Sequence, residues 1–222
     1  MRRFWRENSL SLVLFAGFFL IFLVGQTLTG FHDYNDDRGE HGHAPIVLGQ
    51  YLRSGHFAEA VFENWESEFL QMGFYVVLTV FLRQKGSSES KKLRGKEKVD
   101  EDPAKHRNDP KAPWPVRRGG LLLKIYENSL GLAFLLLFLG SFIGHGLGGL
   151  SLYNEERVDH GQTEATLGEY MTSSRFWFES FQNWQSEFLA VGSIVVLSIF
   201  LRQKGSPESK PVHAPHEETG TG

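Results

Sequence analysis

The sequence predicts an all-α integral membrane protein, in which two parallel tandem repeats of a two-helix unit form a four-helix bundle with helical extensions on the outer side. Three observations lead to this fold class. The chain of 222 residues contains apolar runs long enough to cross a membrane, the same unit occurs in it twice, and strongly polar segments separate the runs. The overall 22% of charged residues hides this contrast, because it averages over very different parts of the chain.

Two apolar runs are the first elements to be justified. Residues 9–29 contain no charged residue, and residues 129–152 contain none apart from His145. Each run reaches the roughly 20 residues that a helix needs to cross a bilayer. The first run follows a basic N-terminus, as a signal peptide would, but it has no Ala-x-Ala cleavage site and its counterpart recurs in mid-chain. We therefore expect a retained anchor.

The internal repeat organises the rest of the chain. From Tyr34 onward, motifs recur at a constant spacing of 119 residues, as Tyr34 and Tyr153 show. Inside the first apolar run the second copy is one residue shorter. The repeats are assigned to residues 1–87 and 120–206. The linker 88–119 and the tail 207–222 are polar and are predicted to be disordered, because they cannot bury enough apolar surface to fold.

The first helix of each copy is predicted to begin at an N-capping asparagine, Asn8 or Asn128. It should continue beyond the membrane, because Tyr34, Arg38 and His41 share one helical face, as do their counterparts Tyr153, Arg157 and His160. We expect this outer stripe to pack against the Leu48/Tyr51 segment or against the other repeat. Gly42 and Gly161 are positioned to end the helices, with earlier breaks at Gly30 and Gly149 as the alternative.

The second helix of each copy is predicted to run from Ser54 to Arg83 and from Ser173 to Arg202. The apolar portion 69–82 is too short to span a bilayer, so part of 62–68 must also lie in the membrane, or the membrane must be thin there. Basic residues flank the N-terminus, the linker ends and the tail, whereas the loop after the first helix is acidic. This asymmetry predicts four spans with both termini in the cytoplasm.

Several polar side chains are expected at membrane depth. Glu68 should lie roughly 22 Å above the inner surface and Gln26 roughly 25 Å, from the rise of a helix. The predicted intramembrane cluster consists of Glu68, Glu187, Asn64, Asn183, Gln26 and His145. Two interpretations stay open: hydrogen bonds that hold helices together, or a site for a transported proton, ion or small solute.

Other kinds of site find little support. The outer histidines (His32, His41, His43 and His56) have no recognised ligand spacing, so we expect no metal and no cofactor. The chain has no cysteine, which excludes disulfides and thiolate catalysis. No basic stripe indicates nucleic acid.

The motifs Glu-Asn-Ser-Leu, Asn-Trp-x-Ser-Glu-Phe-Leu and Arg-Gln-Lys-Gly-Ser each occur in both copies. Together they resemble a family of small bacterial four-span membrane proteins known as a domain of unknown function. The resemblance covers both repeats and implies a multi-pass protein of the bacterial cell membrane, without an activity. We expect a non-enzymatic structural or interaction protein, in contact with the lipid bilayer and with a homo-oligomeric partner or another membrane protein. The alternative is a small transporter or proton- or ion-conducting protein that uses Glu68 and Glu187.

Overall fold

The structure is a computed structural model and describes residues 2–220. The predicted all-α class is confirmed, because residues 2–220 contain helices and no strand. The α-helices are α1 (Arg2–Leu12), α2 (Leu20–Glu40), α3 (Leu48–Tyr51), α4 (Gly55–Phe81), α5 (Trp114–Arg118), α6 (Gly120–Glu127), α7 (Ser129–Asp159), α8 (Leu167–Met171) and α9 (Ser174–Phe200). A π-helix covers Val13–Phe19, and short 3₁₀ turns cover Lys98–Asp100 and Pro103–His106.

Three helical stretches within residues 2–220 are long and apolar enough to cross a membrane, namely Arg3–Glu40, Ser129–Asp159 and Ser174–Phe200. Helix α4 has the same length as α9, 27 residues, but is not among them. Its first half carries the carboxylates of Glu59, Glu63, Glu66 and Glu68, which lower its mean hydropathy. The four-span arrangement therefore stays a prediction that depends on α4.

The π-helix lies where the two halves of the chain differ in length. The segment from Leu10 to Val24 is one residue longer than the corresponding segment from Leu130 to Ile143. A π-turn holds one more residue than an α-turn, and the π-helix Val13–Phe19 lies within this longer segment. The second half has the uninterrupted helix α7 at this place. The length difference is thus absorbed inside the helix rather than in a loop.

The outer ends of α2 and α7 agree with the sequence prediction. Gly42 and Gly161 have φ values of 79° and 68°, in the region that favours glycine. The amide of His43 donates to the carbonyl of Arg38 at 2.8 Å, and the amide of Gln162 donates to that of Arg157 at 2.7 Å. These are the long hydrogen bonds of a Schellman motif. The alternative breaks are wrong, since α2 and α7 run through Gly30 and Gly149.

The predicted helix starts at the two asparagines are only partly correct. Helix α7 does begin next to Asn128, but the side chain of Asn128 donates backward to the Lys124 carbonyl at 2.9 Å. Asn8 lies inside α1, where its side chain donates to the Phe4 carbonyl at 2.9 Å. Neither side chain forms the predicted N-cap, because the preceding segment is itself helical and offers its carbonyls first.

Helices α4 and α9 begin directly after Ser54 and Ser173, as predicted, and end two residues before Arg83 and Arg202. These arginines close the helices. The Nη1 atom of Arg83 donates to the carbonyls of Val80 and Leu82 at 3.1 and 2.8 Å, and that of Arg202 donates to Ile199 and Leu201 at 3.2 and 2.8 Å. A cation at the C-terminus of a helix also interacts favourably with the helix dipole.

The chain divides into two compact units. Unit 1 holds the chain up to Phe62 together with Ile143–Phe176, and unit 2 holds Glu63–Phe142 and the chain from Trp177 onward. Each unit contains parts of both halves of the sequence. The predicted linker and tail belong to unit 2. There the Gly86 amide donates to the Thr219 hydroxyl at 2.9 Å, and the Lys210 ammonium donates to three tail carbonyls, those of Pro215, His216 and Glu218.

Candidate functional site

The loops that follow α2 and α7, both in unit 1, are held by matching asparagines. Asn35 donates to the Ile46 carbonyl at 3.1 Å and accepts from the Ile46 amide at 2.7 Å. Asn154 makes the same two bonds with Ala165, at 3.0 and 2.7 Å. An asparagine side chain can donate and accept at once. Each loop is therefore fixed to its own helix.

The predicted outer stripe meets the second half of the chain at Glu155. The Tyr34 hydroxyl donates to Oε2 of Glu155 at 2.7 Å, and Nη1 of Arg38 donates to its Oε1 at 2.9 Å. The Tyr34 ring also contacts the buried ring of Tyr51, with centroids 5.9 Å apart. The stripe was predicted to pack against the Leu48/Tyr51 segment or against the other repeat. In unit 1, Tyr34 contacts Tyr51, and both Tyr34 and Arg38 contact Glu155 of the second half.

The corresponding residues of the second half have a different environment. The guanidinium of Arg157 lies over the ring of Tyr153 at 5.5 Å, and so does that of Arg175. Arg175 also forms a two-pronged ion pair with Glu156. The residue of the first half that corresponds to Arg175 is His56, whose ring lies 5.0 Å from that of Tyr34. One half thus uses an arginine where the other uses a histidine.

The outer histidines bond to separate neighbours. His41 and His160 each donate to the carbonyl four residues earlier, at 2.9 and 2.7 Å. The hydrogen bond from His41 to the Asp37 carbonyl, together with the Asp37 carboxylate, raises the pKa of the imidazole. His43 donates to Asp159 at 3.0 Å. Each of these three histidines thus makes a hydrogen bond to a nearby backbone carbonyl or carboxylate, which is a structural role.

A buried polar group lies on α7 in unit 1. His145 is fully buried and its ring stacks on Phe176, with centroids 4.7 Å apart. The Glu59 carboxylate, also buried, lies within 4.8 Å of the imidazole and accepts a long hydrogen bond of 3.5 Å from Tyr170. Gln26, the other member of the predicted cluster in this unit, is exposed and donates to the Ala60 carbonyl at 3.2 Å.

Unit 2 contains a second group of polar side chains, which we name the inner polar cluster. It consists of Glu63, Glu66, Gln71, Asn183, Trp184 and Glu187. Glu66 has no exposed surface, and its Oε1 accepts a hydrogen bond of 3.0 Å from the indole Nε1 of Trp184. Glu63 accepts from Asn183 at 2.5 Å, and Gln71 donates to the Glu187 carbonyl at 3.3 Å. The cluster therefore joins α4 to α9 through carboxylates and neutral donors.

The predicted intramembrane residues of unit 2 differ in their exposure. Asn183 and Glu187 belong to the inner polar cluster, whereas Asn64 and Glu68 on α4 are exposed. Glu66 and Glu68 are two residues apart, about 200° around a helix, so they point to nearly opposite sides.

Sequence reasoning missed Glu66 because the second half has Gln185 at the corresponding position, and retention in both halves was the criterion. It missed Glu59 for the same reason, since Phe178 is its counterpart. A usable signal was present: Glu59, Glu63 and Glu66 recur at i, i+4 and i+7, which places them on one helical face.

The chemistry available to the inner polar cluster is proton binding. A carboxylate that accepts from an indole N–H can exist ionised or protonated, whereas the indole stays neutral and only donates. Ionisable groups are expensive to bury unless they are paired or hydrogen-bonded. Glu66 is the best-placed group of the cluster for proton binding.

The comparisons with other proteins give one match. No curated protein and no solved structure matches the chain significantly. Residues 1–221 match the family described as "Domain of unknown function (DUF6766)". The matched range includes the linker as well as both repeats. Because this match covers almost the whole chain, the protein belongs to the DUF6766 family of domains of unknown function.

Proposed function

We propose that the protein is a non-enzymatic, four-span integral membrane protein of the bacterial cell membrane, with both termini in the cytoplasm and a structural or interaction function. The three long apolar helices support a membrane location. Helix α4 supplies the fourth span: its second half, from Phe69 onward, is apolar, and its acidic first half has partners on α9.

The proposal includes a duplicated unit whose two copies point the same way. Contacts that recur 119 residues apart support it. The Asn35–Ile46 and Asn154–Ala165 pairs are one example. The amides of Gln84 and Gln203, which donate to Ser90 and Ser209 at 2.9 Å, are another. Equal local contacts in two sequence segments are expected of two copies of one ancestral unit.

The observation that carries the structural function is the position of Glu155 between two side chains of the first copy. Its carboxylate binds Tyr34 and Arg38 at once, so the outer ends of α2 and α7 are tied together. Charge-assisted bonds of this kind hold a fixed geometry. A fixed polar surface outside the membrane suits contact with a second copy of the protein or with another membrane protein.

A second function, proton or ion conduction, is favoured by one specific observation, the complete burial of Glu66 against Trp184. A membrane scaffold can hold its helices with neutral polar groups, and the second copy has the neutral Gln182 and Gln185. The first copy instead keeps carboxylates at both corresponding positions, Glu63 and Glu66. Carboxylates can exchange protons, which glutamines cannot.

One experiment tests both functions: measurement of proton flux into proteoliposomes that contain the purified full-length protein. The structural function predicts no flux above empty vesicles. Conduction predicts a flux that Glu66→Gln abolishes and that Glu101→Gln, an exposed control in the linker, leaves unchanged. Glu68→Gln and Glu187→Gln test the two carboxylates predicted from the sequence in the same assay. Folding of Glu66→Gln is expected to be normal, since the amide oxygen of glutamine can still accept from the Trp184 indole. Equal flux from all variants would remove the inner polar cluster from the conduction pathway.

A further inference from the structure

An apolar groove lies between α4 and α7 within unit 2. Its volume is about 370 Å³, within the range of roughly 300–1,000 Å³ typical of ligand pockets. The lining side chains are large and apolar and include Phe69, Phe74, Leu132, Phe134, Leu135 and Phe138. A Cβ atom on Gly73 would lie 3.2 Å from Cβ of Phe134, and one on Gly131 would lie 3.3 Å from Val77. The two glycines thus let the helices approach closely beneath the groove.

The groove has the length of one lipid leaflet. On α4 it extends from Phe69 to Leu78, which corresponds to roughly 14 Å at the rise of an α-helix. Half of a hydrocarbon core of about 30 Å is nearly the same length. This comparison rests on the proposed function, because it requires that α4 and α7 lie in a membrane.

The groove continues into a wider pocket of about 740 Å³ near the ends of the helices. Val77, Asn128 and Gly131 line both spaces. The residues that line this pocket include one basic residue, Lys91, and four acidic residues, Glu89, Glu97, Asp100 and Glu127. An apolar channel that opens into a charged pocket matches a molecule with an acyl chain and a polar headgroup.

The charges of the pocket select the kind of headgroup. Three carboxylates are engaged: Glu89 accepts from the Tyr75 hydroxyl, Asp100 pairs with Lys91, and Glu97 accepts from the Lys92 amide, each at 2.5 Å. Glu127, at the end of α6, faces the same pocket. Acidic groups in excess over the single ammonium disfavour a purely anionic headgroup and favour one that carries a positive charge. Lys91 and the Asn128 amide each already donate one hydrogen bond, to Asp100 and to the Lys124 carbonyl, and each has a further N–H group that can donate to a phosphate.

We infer that this groove binds one zwitterionic phospholipid with a primary-amine headgroup. One acyl chain lies between α4 and α7, the phosphate is held near Lys91 and Asn128, and the headgroup ammonium is held by Glu127. The site differs from the inner polar cluster in both its residues and its ligand, since it binds a component of the membrane itself.

The test is native mass spectrometry of the full-length protein in detergent, with added dioleoyl phosphatidylethanolamine, phosphatidylglycerol or phosphatidylcholine. We expect one phosphatidylethanolamine to be retained with a preference of about tenfold over phosphatidylglycerol, the factor expected for one charge-assisted hydrogen bond. Glu127→Gln should reduce this preference, and Glu101→Gln, outside the pocket, should not.

Groove-filling variants test the acyl-chain site. Leu132→Trp and Leu135→Trp lie in the lining and should each abolish retention of the lipid. Leu136→Trp is the control, because Leu136 is on the same helix, is 70% exposed and does not line the groove. Circular dichroism identifies any variant that does not fold. If one of the two lining variants does not fold, the lipid retention of the other tests the acyl-chain site.

Three results would overturn the inference: equal retention of all three lipids, preference for phosphatidylglycerol, or a protein dimer that forms when the lipid is stripped and is blocked by Leu132→Trp. A different result would refute the proposed function, namely release of the protein from cell membranes by alkaline carbonate, because an integral membrane protein stays in the membrane. Carbonate-resistant protein without lipid preference removes the lipid site alone.

Discussion

Asn35 holds both backbone groups of Ile46, through hydrogen bonds of 3.1 Å to the carbonyl and 2.7 Å from the amide. The side chain thereby connects the last turns of α2 to the half-buried Ile46, just before α3. A buried or half-buried backbone group that loses its partner is costly, so a single residue determines how firmly the loop is held.

We predict that Asn35→Ala weakens this loop by about 1–3 kcal/mol, the cost of leaving such groups unpaired. Limited proteolysis should then cut residues 41–47 faster, with the rest of the chain unchanged. Asn35→Asp should have an intermediate effect, because it keeps the acceptor and loses the donor. Asp36→Ala, an exposed neighbour, is the control. Asn154→Ala should produce the same change in residues 160–166, and an effect in only one of the two loops would contradict the matched roles.

A second prediction concerns Gly30 and Gly149, against which the hydroxyls of Tyr51 and Tyr170 pack. A Cβ atom at either glycine would overlap the hydroxyl of its tyrosine. We expect Gly30→Ala and Gly149→Ala to destabilise the protein by about 1–3 kcal/mol, as overpacking does. Gly25→Ala, on the same helix as Gly30 and with nothing within 4 Å, is the control.

Removal of the hydroxyl should rescue the two alanine variants to different extents. At Gly30 the next ring atom, Cζ of Tyr51, lies 3.4 Å from the added Cβ, an ordinary contact, so Tyr51→Phe should restore stability almost fully. At Gly149 the Cζ atom of Tyr170 lies 2.8 Å away, so Tyr170→Phe should rescue only partly. Thermal unfolding of the single and double variants measures both effects. Equal rescue at the two sites would show that the tyrosines move.

The third prediction is a pH dependence confined to the second of two similar turns. At the start of α8, Glu169 accepts from the Thr166 amide at 2.7 Å and from its hydroxyl at 2.8 Å, and these bonds hold the pKa of Glu169 below its ordinary range. A depressed carboxyl pKa stabilises the fold above the ordinary pKa, and the contribution is lost as pH falls through the folded-state value. At the start of α3, the neutral Gln50 takes the same place and accepts from the Val47 amide at 3.0 Å.

Hydrogen exchange should therefore accelerate in α8 on acidification, beyond the intrinsic pH effect, and not in α3. Glu169→Gln should make the two helices behave alike. An acid response of equal size in α3 would mean that a group shared by both turns, rather than Glu169, is titrating.

The fourth prediction follows from the number of spans. Four spans place both termini on the same side, whereas the three strongly apolar stretches alone would place them on opposite sides. We expect cytoplasmic signals from tags at both termini and an external signal from a reporter inserted at Gly42. A tag at the C-terminus that reports the outside would show that α4 does not cross, and would refute the proposed topology.

The ends of the long helices could be predicted from the sequence because their determinants are local. A glycine at C′ and a change of pattern from apolar to polar suffice, and Gly42, Gly161, Ser54 and Ser173 mark the observed boundaries. The starts of the first helices were harder to predict. Asn8 has the composition of an N-cap, but the basic segment before it is also helical, and tertiary or membrane context decides such cases.

The site residues were harder to predict, because burial depends on which face of α4 meets α9. The repeat directed attention to Glu68, which both halves retain, whereas the structure buries Glu66, which they do not. Retention identifies what two copies have in common and cannot reveal a contact made by residues that differ between them. The one-residue length difference was visible as well, yet only the structure shows that a π-helix absorbs it.

The hydrogen bond between Trp184 and Glu66 makes the two halves of the chain unequal partners. The first half contributes acids, Glu63 and Glu66, and the second contributes the donors Asn183 and Trp184. The first half also has Asn64 and Trp65 at the positions of these donors, so it contains both kinds of partner, whereas the second half has glutamines in place of the two acids. If the polypeptide were severed in the linker, second-half fragments should consequently pair with first-half fragments and not with themselves.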